Sequence, residues 1–376
     1  MSRDYLLVEY KDRSSPVELN GESKIPSYCT RIDPFSGSVS RISVERADDV
    51  RGRHPGLDVV SLDIKPVKDC LFCKYKTKGA RPQIHHEDET VSMKNPFPWE
   101  GEMWVSAYPP FDPENGGHKV LLSEVLYTDV ERLIRSEKKI AEIFYGYYKE
   151  RPDVILSFRD FTNWGPYAGA SQQHPHSQRA LTTHVLPPVE AAELARARKF
   201  YEETGTSLFD AVVEAELAAD ERVIYANDHV CMFSPFAPKC NDEIIAIPRD
   251  GVTHVLQMDE DYMKKIIRPI LGIFPGLFFY RGVRDLNIVV HMAPFSEIDN
   301  SEKFYRWHMH IMPRKSGLPV SMAGAEIGYG DNVIGVYPEY TASILSEWYR
   351  PGGPNSDVIP NSLKEHFHKL ISNHID

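Results

Sequence analysis

Apolar and polar positions alternate along the chain in two related series of segments. In the first series, residues 89–99 and 102–110 alternate with a period of two, as strands do, and 118–124 and 154–160 are further strand candidates. Between them a helix is predicted from Thr128 to about Glu150, because its apolar residues recur at helical spacing: Val130, Leu133, Ile134, Ile140, Ile143 and Phe144.

The second series repeats this order about 130 residues later. Segment 222–238 parallels 89–99, and segment 242–250 parallels 118–124. A helix from about Asp259 to Leu277 follows, and then 286–295 and 306–314 parallel 154–160 and its histidine-rich continuation. The pattern predicts an internal duplication, with halves at 1–210 and 211–376. A helical connector over Glu190–Ala219, interrupted near Gly205, joins them, and the predicted fold class is α+β.

Composition narrows the functional classes. The net charge of -11, with no basic stripe to offset it, argues against a nucleic-acid partner. No apolar run approaches the ~20 residues of a membrane span, and the N-terminus lacks the apolar core of a signal peptide. The five sparse cysteines are not a disulfide framework. We therefore expect a cytoplasmic protein without a membrane partner.

The segment 163–178, NWGPYAGASQQHPHSQ, concentrates the candidate chemistry. Residues two apart on an extended segment share a face, so His174, His176 and Gln178 address one small volume. A neutral His176 imidazole is a candidate nucleophile for phosphorus, with Gln178 donating to a phosphate oxygen. Ser171 and the amides around Gly169 would hold phosphates, and Asn163 would bond a ribose hydroxyl or a ring carbonyl. The plainer alternative is a turn followed by a strand with two surface histidines.

Two groups of residues have the types and spacing of metal ligands. Cys70, Cys73 and His174 supply three corners of a structural zinc site, although a fourth ligand is not evident; two free cysteines in a turn are the alternative. The second group is His308 and His310, which alternate with apolar neighbours along a strand. His291 would join them if the two strands pair, and a carboxylate would complete a site for zinc or iron. Its alternative is an exposed polar sheet face.

The motif NWGPYAGASQQHPHSQ resembles the active-site motif of the galactose-1-phosphate uridylyltransferase family, a branch of the histidine-triad superfamily. The resemblance extends over roughly residues 30–350. It includes the CxxC, NPFPW, HMAPF, RWHMHIMPR and AGAEIG segments. It implies duplicated histidine-triad-like halves, each an antiparallel sheet with packed helices.

The resemblance also implies a role for individual residues. His176 would be the nucleotidylated nucleophile and Gln178 the phosphate-binding glutamine. The implied nucleotide and phosphate contacts add Asn95, Phe97 and Arg46 to Asn163, Gly169 and Ser171. Glu326 would contact the sugar hydroxyls. Cys70, Cys73 and His174 would hold structural zinc, and Glu193 would complete a second metal site with His291, His308 and His310.

Three departures from the family pattern stand out. The family's third zinc ligand follows the segment 118–124, where this chain has Val125, Leu126 and Tyr127, and His118 lies at the other end of that segment. In the family's basic RxxRP motif, Arg46 matches but Asp49 stands at the next basic position. The AGAEIGYG segment is more similar to adenylyl-sugar and phosphorylase-like relatives, with Asn332 in place of a glutamine.

The resemblance therefore predicts a homodimeric nucleotidyltransferase that moves a nucleoside monophosphate between a nucleoside diphosphate sugar and a sugar 1-phosphate. The substrate pair of the family is UDP-hexose and galactose 1-phosphate. One alternative is a phosphorylase or hydrolase of ADP-sugars or dinucleoside polyphosphates that uses the same histidine. The other is a non-catalytic nucleotide-binding protein.

Overall fold

The computed structural model describes residues 6–13, 17–19, 22–24, 27–42, 70–78, 81–99, 102–111, 127–150, 155–182, 186–296, 300–314 and 324–349. Seven α-helices lie in these ranges: α1 Leu71–Lys78, α2 Tyr127–Lys149, α3 Pro188–Thr204, α4 Leu208–Ala219, α5 Glu260–Arg281, α6 Gly324–Tyr329 and α7 Pro338–Ser346. The described residues form three β-sheets of ten, four and two strands.

The ten-stranded sheet is the framework of the molecule. Its first five strands in chain order are β6 Gln83–His85, β7 Val91–Lys94, β8 Glu102–Ala107, β9 Ser157–Trp164 and β10 His176–Thr182. Its last five are β11 Val223–Ala226, β12 Val230–Phe233, β13 Ile244–Pro248, β14 Asp285–His291 and β15 His308–Arg314. In space they run β11-β12-β13-β15-β14-β9-β10-β8-β7-β6.

The two halves of the sheet have the same strand order. From one edge to the centre the order is β11-β12-β13-β15-β14, and from the other edge it is β6-β7-β8-β10-β9. A duplication produces this arrangement. β9 of the first half pairs antiparallel with β14 of the second, with Asn163 opposite Asn287. The α+β fold with duplicated antiparallel halves is thereby confirmed. One detail of the predicted alignment is wrong: the strand that occupies the position of β13 is β8, not residues 118–124. The prediction matched 118–124 with β13 because both precede a helix in the chain. The position of a strand in the sheet depends on its pairing partner, and β8 pairs with β10 as β13 pairs with β15.

One face of the sheet is covered by α2 and α5. Both helices bury apolar residues there, together with Trp307, Met309 and Ile311 from β15. These are Leu133, Ile134, Ile140 and Phe144 of α2 and Met263, Ile266, Ile267 and Ile270 of α5. Asp259 begins α5 by accepting the Tyr262 amide at 2.7 Å, and Gly282 ends it in a left-handed conformation. This face is the main hydrophobic core.

The opposite face carries the candidate chemistry, because residues two apart return to the same side of a strand. α3 and α4 pack over its second half in a separate apolar cluster with Phe233, Ile245 and Tyr305. Gly205 separates the two helices as a left-handed cap, as predicted.

The four-stranded sheet connects the two ends of the chain. It contains β1 Glu9–Arg13, β4 Ser27–Ile32, β5 Val39–Ile42 and β16 Asp331–Ile334 in the order β1-β4-β5-β16. Its last pairing is parallel, between β5 and β16. The two-stranded sheet pairs β2 Val17–Leu19 with β3 Glu22–Lys24. β4 and β5 pair antiparallel, with Cys29 opposite Ile42. Residues 118–124, Arg46 and the C-terminal residues His366 and His368 lie outside the described residues.

A buried ion pair joins strands β10 and β9 on the face opposite the candidate chemistry. Arg179 of β10 donates through Nε to Asp160 of β9 at 2.7 Å, and both side chains are almost fully covered. The Tyr108 hydroxyl accepts from Arg179 at 3.4 Å and is hydrogen bonded to Ser177. Because a buried charge without its partner is costly, this network fixes β10 against β9.

His254 allows a test of pH-dependent stability. Its Nδ1 accepts the Leu256 amide at 3.2 Å, its ring packs on Phe295, and burial lowers its pKa from 6.5 to about 3. The unfolded chain therefore binds more protons than the folded one between these values, so this contribution is complete above pH 6.5 and is lost as pH falls toward 3. We expect the free energy of unfolding of wild type minus that of His254→Gln to fall by up to about 1.4 kcal/mol per pH unit below 6.5, measured by urea unfolding. A difference that is flat between pH 7 and 5 would contradict this assignment.

Candidate functional site

His176 is the first residue of β10, and its ring orientation is fixed by the backbone. Its Nδ1 donates to the carbonyl of His174 at 2.8 Å, so in the neutral ring Nε2 carries the lone pair. The ring packs on Phe72 of α1 at 4.6 Å between centroids and is largely buried. Burial lowers the pKa of His176 below 6.5, despite the opposing bond to the His174 carbonyl. The imidazole is therefore neutral and nucleophilic at neutral pH.

The turn before β10 has a shape that only glycine permits. Gly165 adopts φ 85°, and a Cβ atom there would lie 1.9 Å from Asp285 Oδ1. The same carboxylate oxygen accepts the Tyr167 amide at 3.2 Å. Gly169 is also left-handed, at φ 86°, and ends the 3-10 turn Pro166–Ala168. Ser171 follows on an exposed stretch, so the structure places Gly169 and Ser171 in the loop leading to His176.

Three of the predicted nucleotide contacts lie near β10. Gln178 Oε1 accepts from Asn95 Nδ2 at 3.5 Å, which directs the Gln178 amino group away from Asn95. Asn95 in turn accepts the Phe97 amide at 2.9 Å, and the Phe97 side chain is 76% exposed. Asn163 on β9 is the neighbour of His176, because the pairing places Ser177 opposite Thr162. Its Oδ1 accepts from Asn287 at 2.7 Å, so its amino group is the end available to a ligand.

Cys70, Cys73 and His174 converge in one buried group. His174 Nδ1 lies 3.6 Å from Cys70 Sγ and 3.5 Å from Cys73 Sγ. Zinc bonds of about 2.3 Å to sulfur and about 2.0 Å to nitrogen, at a tetrahedral angle, require a separation of about 3.5 Å. His174 Nε2 donates to the Tyr108 carbonyl at 2.7 Å, which leaves Nδ1 for a metal. These three residues fit zinc; the segment that contains His118 lies outside the described residues.

The second cluster joins both halves of the chain. His291 and His308 face each other across the β14–β15 pairing, and Glu193 reaches them from α3. Glu193 Oε2 lies 3.2 Å from His291 Nδ1 and 3.8 Å from His308 Nε2. His308 and His310 use Nδ1 to bond the Arg306 carbonyl and Glu243, at 2.9 and 2.8 Å. Their buried Nε2 atoms have no hydrogen-bond partner among the described residues, so the donor set fits a metal ion.

The electrostatics of this cluster favour neutral His308 and His310 beside an ionised Glu193. Burial lowers the pKa of His308 to about 3 and that of His310 well below its usual value. Burial acts to raise the pKa of Glu193, but the neighbouring His291 and Lys239 hold it well below its usual range. Neutral imidazoles and a carboxylate are the forms that ligate metals.

Glu326 and Arg46 are the remaining predicted site residues. Glu326 lies on α6 with its side chain partly exposed. Arg46 lies outside the described residues. Glu326 and Arg46 therefore stay predictions from the resemblance.

Several residues that support these sites were not found from the sequence. Asn287 bonds both Asn163 and the Ala168 carbonyl, and Arg314 donates to it at 2.5 Å. A signal for Asn287 existed, since it shares a strand face with His291 four residues later. Glu243 and Asp285 had no such signal, because strand pairing alone brings them to the sites.

The chain is similar in sequence to galactose-1-phosphate uridylyltransferases and to an ADP-glucose phosphorylase, and similar in fold to solved structures of an ADP-glucose phosphorylase and of a uridylyltransferase. No protein-family model matches the chain. Its sequence is 28% identical to ADP-glucose phosphorylase of Arabidopsis thaliana over 62% of this chain and 62% of that protein. It is 28% identical to galactose-1-phosphate uridylyltransferase of Thermotoga maritima over 52% of this chain and 61% of that protein. The same enzyme of Hypocrea jecorina is 27% identical over 41% of this chain and 40% of that protein.

These matches confirm the resemblance to the galactose-1-phosphate uridylyltransferase family, and the chain aligns with between 40% and 62% of the length of these relatives. The crystal structure of the Arabidopsis thaliana ADP-glucose phosphorylase with bound ADP-glucose shares the fold, with a TM-score of 0.65 and 21% identity over 85% of this chain and 98% of that one. A uridylyltransferase structure has a TM-score of 0.60 and 21% identity, covering 84% of this chain and 97% of that one.

The zinc assignment predicts a metal content that depends on three residues. We expect purified wild type to hold zinc, and Cys70→Ser and His174→Asn to lose most of one equivalent, because each removes a ligand of the same ion. Elemental analysis gives the zinc content, and thermal unfolding should show a lower midpoint for both variants. Cys29→Ala is the matched control, since Cys29 is buried in the four-stranded sheet. Equal zinc in wild type and all three variants would contradict the site.

Proposed function

We propose that the chain is a nucleotidyltransferase that moves a nucleoside monophosphate between a nucleoside diphosphate sugar and a phosphate-bearing acceptor, through His176. The observation that carries this proposal is the Nδ1 bond from His176 to the His174 carbonyl. It fixes the tautomer in which Nε2 is the nucleophile, at the start of a strand whose next same-face residue is Gln178. His308 has the same bond to a carbonyl among candidate metal ligands, but His176 has Gln178 beside it, and a nucleotide-binding module that does no chemistry has no need of an unblocked imidazole there.

In the first displacement, His176 Nε2 attacks the α-phosphorus of the nucleotide sugar. A P–N bond forms, the bond between the α-phosphorus and the bridging oxygen breaks, and sugar 1-phosphate leaves. In the second displacement, a phosphate oxygen of the acceptor attacks the same phosphorus and the P–N bond breaks. Two easier displacements thereby replace one direct transfer.

The residues around His176 supply position and charge stabilisation, which dominate phosphoryl-type transfer. Gln178 donates its amide to a non-bridging oxygen of the α-phosphate, because its carbonyl is turned to Asn95. Ser171 holds another phosphate oxygen through its hydroxyl, because the predicted donors before it, the backbone amides of Gly169 and Ala170, already donate to the carbonyls of Pro166 and Gly165. The amino group of Asn163 bonds the nucleoside, and the exposed Phe97 ring stacks on the base.

The metal sites are assigned supporting roles. Zinc held by Cys70, Cys73 and His174 would fix the backbone that orients His176, because the carbonyl that holds the His176 ring belongs to His174. Glu193, His291, His308 and His310 would hold the second ion. We further propose that the protein is a homodimer, as in the family it resembles, and that α6 with Glu326 contributes to a sugar subsite.

The choice of acceptor separates two forms of this proposal. The uridylyltransferase form uses a UDP-hexose and a hexose 1-phosphate. Most of the similar proteins are named galactose-1-phosphate uridylyltransferase, which is consistent with this form. The phosphorylase form uses an ADP-sugar or a dinucleoside polyphosphate with inorganic phosphate as acceptor; a hydrolase would use water. The relative with 62% coverage, an ADP-glucose phosphorylase, favours the phosphorylase form.

The covalent step predicts a labelled protein. Incubation with a nucleotide sugar labelled in the α-phosphate should give an acid-labile adduct on wild type and none on His176→Asn, with turnover reduced by at least a thousandfold. His229→Asn is the matched control, because His229 is a partly exposed histidine that pairs with Asp250 away from β10. Full activity of His176→Asn would exclude the mechanism.

The identity of the acceptor is decided by product analysis. Wild type is incubated separately with UDP-glucose and ADP-glucose, each with galactose 1-phosphate, with inorganic phosphate or with neither. The phosphorylase form predicts phosphate-dependent release of ADP from ADP-glucose, and the uridylyltransferase form predicts UDP-galactose from UDP-glucose. In both, Gln178→Ala should lower kcat at least tenfold, because it removes a donor to the transferring phosphate. No turnover with any pair would contradict both forms.

A further inference from the structure

Lys239 places a fixed cation beside the Glu193–histidine cluster. Its Nζ lies 3.7 Å from Glu193 Oε1, with the two side chains 17% and 0% exposed. Glu193 Oε1 has no hydrogen-bond partner among the described residues, whereas Oε2 accepts the Tyr305 hydroxyl at 2.7 Å and faces His291. The two oxygens of one carboxylate therefore face different cations: one faces the lysine, and the other faces the position a metal ion would take.

The loop that carries Lys239 is tied to the same cluster. Glu243 accepts the Lys239 amide with Oε2 and bonds His310 Nδ1 with Oε1 at 2.8 Å. The neighbouring Pro238 carbonyl accepts from Ser40 at 2.6 Å. A single carboxylate thus orients one candidate metal ligand and the backbone of the lysine, so the ammonium is held in place by contacts on both sides.

We propose that Lys239 is an internal competitor of the metal ion: it neutralises Glu193 in the metal-free protein and weakens cation binding at the cluster. A buried carboxylate is costly without a partner, and Lys239 supplies one before any ion binds. Once an ion is bound, the ammonium and the metal are like charges beside one carboxylate in a poorly solvated site. Lys239 therefore lowers the affinity of the Glu193–histidine cluster for a metal ion.

This inference depends on the predicted metal site and not on the reaction at His176. It differs from the plainer view that Lys239 and Glu193 form only a structural ion pair. In that view, removing the lysine charge destabilises the metal-free protein and leaves metal affinity unchanged. If Lys239 competes with the metal ion, removing the lysine charge has two opposite effects. The metal-free protein becomes less stable, and the cluster binds the metal ion more tightly.

The experiment measures both quantities on the full chain. Wild type, Lys239→Met, Lys239→Gln and Lys239→Arg are stripped with a chelator, and thermal unfolding is recorded. Zinc is then titrated in competition with a chromophoric chelator. The equivalent that belongs to this cluster is the one that disappears in His291→Ala. Lys199→Met is the matched control, because Lys199 is 75% exposed and forms a surface pair with Glu203 on α3.

We expect Lys239→Met and Lys239→Gln to unfold at a lower temperature without metal and to bind the cluster equivalent at least tenfold more tightly. Lys239→Arg, which keeps the charge, and Lys199→Met should match wild type in both measurements. Lower stability with unchanged affinity would overturn the competitor role and leave a structural ion pair. If no protein binds an equivalent that His291→Ala removes, the metal site itself is overturned together with the inference. Neither of these two contradicting results would affect the expected nucleotidyl adduct on His176, which is measured separately.

Discussion

The antiparallel pairing of β9 with β14 is the contact on which the rest of the molecule depends. It joins two five-stranded halves into one sheet, and its register places Asn163 opposite Asn287. Because side chains alternate across a strand, that register sends His176, Gln178 and Asn163 to the same face as His291, His308 and His310. A shift by one residue would turn one half's set into the apolar core under α2 and α5.

The two halves use one structural device for different chemistry. His176 and His308 both begin a strand, and each donates Nδ1 to the carbonyl two residues earlier. Their surroundings have diverged. Next to His176 the equivalent positions hold Gln178 and Asn163, the proposed donors to a nucleotide. Next to His308 they hold His310 and His291, which suit a metal. The same strand position thus carries the proposed nucleophile in one half and a candidate ion cluster in the other.

The sequence predicted the duplicated fold and the two groups of candidate ligands, because these depend on local period and spacing. The period-two alternation around His308 put Trp307 and Met309 in the core and the histidines on the other face, as the structure has them. It did not predict Lys239, Glu243 or Asp285, since each reaches its site from a loop or strand end whose position is set by tertiary pairing. The same reason explains the wrong alignment of 118–124 with β13: order along the chain cannot show which strand pairs with β10.

The continuous ten-stranded sheet also determines whether the two halves of the chain can be separated into stable fragments. Predicted halves at 1–210 and 211–376 suggest separable units, yet the central pairing is made of backbone hydrogen bonds between them. Each half alone would expose β9 or β14 as an unpaired edge rich in apolar residues, the kind of surface that recruits other strands. Glu193 would also be parted from its histidines. Each half therefore protects the edge strand of the other, and neither half is expected to remain soluble as a fragment.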